Sequence, residues 1–115
     1  MEKNEVINDI LDRAREDGLV VRKKCIGEYK IFPDNECPNY VSVRVSDDPF
    51  GDSLIIHVGY KRDGEPLDQR FQIKPTGYDE SMNMASASIK YLVNSCLEIA
   101  KEIASKRSYA DSVAP

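Results

Sequence analysis

The residues with the sharpest chemistry in this chain are one histidine, His57, and three cysteines, Cys25, Cys37 and Cys96. Four such side chains meeting in space would suit a zinc ion. Zinc sites, however, show paired local spacings such as C-x-x-C, and none is present. The odd cysteine count gives no disulfide framework either. Cys25 and Cys96 lie among apolar residues and are expected in the core. Cys37, in the polar run Asp34-Asn35-Glu36-Cys37-Pro38, is expected at the surface. His57 has no serine elbow or activated cysteine near it in sequence. Paired with a neighbouring carboxylate it would be the one acid–base couple on offer, so it is read first as a surface or interface residue. Asp47, Asp48 and Asp52 share a turn but lack the D-x-[DN]-x-[DN]-G spacing of a calcium loop. Asp63, Glu65 and Asp68 read as solvated loop carboxylates, Gly77 alone is no phosphate loop, and Met82 and Met84 read as packing residues. The sequence therefore assigns no catalytic residue, no metal and no cofactor.

A second kind of chemistry emerges from period-two alternation, which sends successive strand residues to opposite sheet faces. One register collects Val41, Val43, Val45, Leu54, Ile56, Val58, Tyr60, Phe71 and Ile73, joined by Leu19, Val21, Cys25, Tyr29 and Ile31. The complementary register projects Arg22, Lys24, Lys30, Tyr40, Ser42, Arg44, His57, Lys61, Arg70, Gln72 and Lys74, with Glu28 the only acid. That face carries +6 and the remainder of the chain −10. Cations neutralise phosphates and an aromatic ring stacks an unpaired base, so Arg22, Lys24, Tyr40, Arg44, His57, Lys61, Arg70 and Lys74 form a candidate binding face. The competing account is a solvated or partner-covered face, since lysine and arginine stems commonly coat an open sheet. Val20, Ile26, Phe32 and Ile55 also fall on this side, and apolar residues among charges suit a covering partner.

The elements that must position these residues follow from periodicity and turn chemistry. Residues 5–16 repeat apolar positions at helical spacing, with Asn4 a candidate N-cap and Gly18 a candidate terminator. Four strands are expected next: Leu19 to Phe32, bulged or bent at Gly27, then Tyr40 to Ser46, Leu54 to Lys61 and Gln69 to Lys74. Their short connections favour an antiparallel meander. From Asp79 to Lys106 the helical period returns, and residues 108–115 lack periodicity and are expected as a flexible tail. The class is α+β, ordered α-β-β-β-β-α, with a four-stranded antiparallel meander and both helices on one face. Residues 1–107 form the single domain.

Composition sets the outer bounds. The chain has 115 residues, 41% hydrophobic and 31% charged, with a net charge of −4. That fits one domain with its own core. No run approaches the roughly 18 apolar residues of a membrane span, and Met1-Glu2-Lys3-Asn4-Glu5 does not resemble a secretory signal. A cytoplasmic protein without a membrane role is the expectation. The long C-terminal helix exceeds what a four-stranded sheet needs, and Leu97 and Ile99 widen its apolar stripe, which predicts a homodimer. The functional expectation is a small non-enzymatic binding or adaptor protein acting through protein–protein contacts. The alternative is binding of single-stranded nucleic acid, or another polyanion, through the basic sheet face.

Overall fold

A computed structural model describes the backbone of residues 1–113, with the side chains of residues 1–98, Glu102 and Ile103. Helix α1 (Lys3–Glu16) buries Val6, Ile7, Ile10, Leu11 and Ala14, the stripe its sequence spacing predicts. It begins one residue before the expected Asn4 cap, with Glu2 at the cap position and no side-chain cap bond. At its other end Gly18 adopts φ 82°. The Leu19 N–H then donates to Ala14 O at 3.0 Å and the Gly18 N–H to Arg15 O at 2.9 Å. This is a Schellman stop, and it turns the chain directly into the sheet.

The sheet is an antiparallel meander ordered β1 (Val20–Cys25), β2 (Glu28–Phe32), β3 (Val41–Asp47), β4 (Leu54–Arg62) and β5 (Glu65–Ile73). Five strands replace the expected four. The run from Leu19 to Phe32 is a hairpin rather than one bent strand, because Gly27 takes φ 77° and lets Ile26-Gly27 reverse the chain. β5 starts earlier than expected, since Asp63 (φ 52°) and Gly64 (φ 82°) complete a two-residue turn and pairing resumes at Arg62↔Glu65. Two consecutive positive φ values define the turn whose twist matches a hairpin. Pro66 is tolerated because β5 is an edge strand.

Helix α2 (Tyr78–Val113) spans 36 residues, about 54 Å at 1.5 Å per residue. It outruns the strands, the longest of which have nine residues, about 30 Å. The segment set apart as a tail at 108–115 continues this helix to Val113, and residues 114 and 115 lie outside the described residues. Among the described residues, no helix is long and apolar enough to cross a membrane.

Both helices lie on one sheet face. Ile31, Val41, Val43, Leu54, Ile56, Val58 and Ile73 form the buried floor, and α1 joins Met82, Ala85, Ile89, Leu92, Val93 and Cys96 of α2 above it. Two cysteine expectations are overturned. Cys25 is exposed, because the register shifts between Lys23 and Cys25 and moves its side chain off the core face. Cys37 is buried, because Asp34 Oδ1 accepts the Glu36 and Cys37 N–H groups at 2.9 and 2.7 Å and folds that loop back on itself. The helices are tied at one corner. Tyr78 Oη donates to Asp9 Oδ2 at 2.6 Å, Arg13 Nε donates to Asp9 Oδ1 at 2.9 Å, and Arg13 Nη1 donates to Asn83 Oδ1 at 2.6 Å.

Candidate functional site

The sheet face away from the helices gathers the predicted set around β4. His57 stands directly opposite Arg44 of β3 on one side and Arg70 of β5 on the other. Glu28 of β2 lies opposite Arg44 and extends this row. The next cross-strand row contains Arg22, Lys30, Ser42, Gly59 and Asp68. Arg22 lies 5.0 Å from the Phe32 ring centroid and Lys30 Nζ lies 4.7 Å from that of Tyr40. The two rings are themselves 5.2 Å apart and tilted at 48°. Lys24 reaches the face through Glu28, at 3.4 Å. Lys61 stands two residues beyond Gly59 toward the β4–β5 turn, and Lys74 follows the end of β5, away from His57.

His57 is the unusual member: a polar side chain only 7% exposed, on a face whose cations reach solvent. Its Nε2 shares a 2.7 Å hydrogen bond with Ser46 Oγ. Its Nδ1 is buried without a hydrogen-bond partner, with Asp68 Oδ2 at 3.7 Å. Burial, and then the charge of Arg44, lowers the imidazole pKa below its ordinary value, against an opposing pull from Asp68. A neutral ring carrying its proton on Nδ1, toward Asp68, leaves Nε2 to accept from Ser46.

Asp68, His57 and Ser46 thus stand in the order carboxylate, imidazole, hydroxyl. That order also occurs in acyl-transfer relays, here laid across three neighbouring strands of one sheet face. A hollow lies elsewhere among the described residues. It is a groove of about 990 Å³ between α2 and the β4–β5 hairpin, floored by Tyr60, Leu92 and Cys96 and rimmed by the exposed Tyr91. Lys61 and Arg62 stand on its sheet side and Glu98 and Glu102 on its helix side. None of these four forms an ion pair with another described residue. Among the described residues, no group of three or more His, Cys, Asp or Glu side chains gathers as a metal site would require.

Sequence reasoning missed Asp68 and Ser46 as members of the site, and it placed Phe32 on this face only as one of the apolar residues awaiting a cover. Continuing the β5 alternation back through Pro66 would have brought Asp68 onto the His57 face. Extending the Ser42–Arg44 alternation by one step would have added Ser46. Fold and site together define an α+β sheet-and-helix protein with one covered face and one open, cation-rich face. Compared with known proteins, the chain matches no family model, no curated protein and no solved structure.

Proposed function

We propose that this is a small non-enzymatic binding protein that acts through protein–protein contacts, beginning with a second copy of itself. The observation that carries the reading is the groove beside α2, with an apolar floor, a basic wall and an acidic wall. A surface of that kind is self-complementary. Across a two-fold axis, Lys61 and Arg62 of one protomer meet Glu98 and Glu102 of the other, while Tyr91 enters the facing groove. The length of α2 beyond the sheet supports the same pairing, because an isolated helical extension is marginal in water without something to pack on.

Light scattering at high protein concentration tests this directly, with a dimer expected. Tyr91→Glu should give a monomer. Lys61→Glu with Arg62→Glu should also dissociate it, and mixing with Glu98→Lys plus Glu102→Lys should restore a heterodimer. A wild-type monomer under these conditions defeats the dimer reading.

A second reading rests on the open face. Arg22, Lys30, Arg44 and Lys61 make no ion pair with a described residue there, which favours contact with a polyanion such as single-stranded nucleic acid. Retention of a labelled oligonucleotide that weakens steeply with salt supports it, and absence of binding at low salt removes it.

A further inference from the structure

The open face is low at one point. A Cβ built on Gly59 would come within 2.6 Å of Ser42 Oγ, so these facing residues form a floor with no tall side chain between them. Around that floor stand Arg44 and His57 on one side, Lys61 on the other, and Lys30 on the adjoining strand. Arg44 and Arg70 flank β4 at two strand spacings, about 9.6 Å, close enough for both guanidinium groups to reach one anion over His57. Asp68 Oδ2 accepts from Arg70 Nε at 3.3 Å, which holds the side chain and leaves its terminal nitrogens free to face outward. The cations recur in the neighbouring rows, offset by two residues or about 6.6 Å along the strand, so the face offers successive positions for anions rather than one.

We propose that a run of phosphodiester from single-stranded nucleic acid crosses the Ser42–Gly59 floor, with one phosphate between Arg44 and Arg70 and the next between Lys30 and Lys61. This rests on the polyanion reading and specifies where the strand lies. A phosphorylated side chain would use one position of the track; a strand uses several and brings its bases toward the half-exposed Tyr40 beside Phe32. His57 serves as the packed spacer that keeps the two arginines apart, and because it is the only histidine it reports on the site without labelling.

The test combines two measurements on the full chain. Anisotropy of a labelled oligo(dT) is followed against salt for wild type, Arg44→Gln plus Arg70→Gln, and Lys90→Gln on the helix side. The arginine pair should weaken binding by about tenfold or more and flatten the logarithmic salt slope by about 0.7 per lost contact. Lys90→Gln should change little. In parallel, the His57 Hε1 resonance should shift on addition of oligo(dT), and its titration midpoint should rise because a bound anion offsets the arginine charges. Failure of wild type to bind any oligonucleotide at low salt overturns the polyanion reading and this assignment together. Binding that survives the arginine substitutions with the His57 resonance unmoved overturns only the assignment. A phosphoserine peptide that binds as tightly as the oligonucleotide, with the salt slope of a single contact, also overturns it. If the double variant does not fold, the wild-type His57 resonance decides alone.

Discussion

Acidification should destabilise this protein through a single side chain. His57 is almost fully buried, its Nδ1 has no hydrogen-bond partner, and a proton added to the ring would place a positive charge between Arg44 and Arg70. Burial, followed by the Arg44 charge, therefore lowers the folded-state pKa below 6.5, and Asp68 at 3.7 Å recovers only part of that shift. The sign follows from proton counting. Between the lowered value and 6.5 the unfolded chain binds the proton and the folded chain does not, so stability rises with pH through that window. The contribution is fully present above the unfolded value and drains away as pH falls toward the folded one. One group changes stability by at most about 1.4 kcal/mol per pH unit. With an m-value of about 1–2 kcal/mol/M in urea, that limit moves the unfolding midpoint by roughly 1 M per unit. Urea titrations at intervals from about pH 7.5 to about pH 5.5 should show the midpoint falling across the lower part of that range. His57→Gln removes the titrating group while keeping a polar partner for Ser46, and its midpoint should be nearly flat. A wild-type midpoint that stays flat or rises on acidification refutes the reasoning, as does a His57→Gln protein that keeps the wild-type slope.

Three sites in the packing carry further outcomes. Burial raises the pKa of Tyr78, and the hydrogen bond to Asp9 raises it further, to about 12, so Tyr78 should ionise late in an absorbance titration of the folded protein. Tyr78→Phe should cost about 1–2 kcal/mol, and a double-mutant cycle with Asp9→Asn should show a coupling above about 0.5 kcal/mol, because the two share one hydrogen bond. Met82→Ala should cost about 2–5 kcal/mol in urea unfolding, since Met82 is fully buried between α2 and the sheet. Gly59→Ala should destabilise by about 1 kcal/mol through the 2.6 Å approach to Ser42 Oγ, and adding Ser42→Gly should recover most of the loss.

What the sequence made legible was whatever depends on local period. Val41, Val43, Leu54, Ile56, Val58 and Ile73 alternate through two unambiguous strands and the end of a third, and all are buried. α1 was equally readable, because its stripe and its glycine stop lie within one short segment. The strand count failed where the local signal was misleading. The β1–β2 turn places Ile26 at its tip, 94% exposed, so an apolar residue occupies the position where a polar turn residue would mark a hairpin. Gly27 was the only signal there, and one glycine does not distinguish a bend from a reversal. Cys37 failed for the opposite reason: its neighbours are polar, but Asp34 spends its carboxylate on the loop's own backbone and draws the thiol inward.

The candidate face divides along the same line. Its cations were legible because Lys30, Arg44, Lys61 and Arg70 share a parity that neither the extra hairpin nor the earlier start of β5 disturbs. Its acid–base detail was not, because Asp68 reaches His57 only through the pairing of β4 with β5, and Ser46 only through that of β3 with β4. Adding Asp68 reduces the face from +6 to +5. The added acid does more than subtract a charge. A lone arginine on an open pleat samples many rotamers, whereas Arg70 is held at Nε by Asp68, so less conformational freedom remains to be lost when its terminal nitrogens meet an anion. The two cation-rich surfaces share Lys61 and use their acids differently. On the outer face Glu28 and Asp68 pair with cations of their own chain, at Lys24 and Arg70, and orient them. In the groove Glu98 and Glu102 stand across from Lys61 and Arg62 without pairing, an arrangement that leaves both signs available to a second copy.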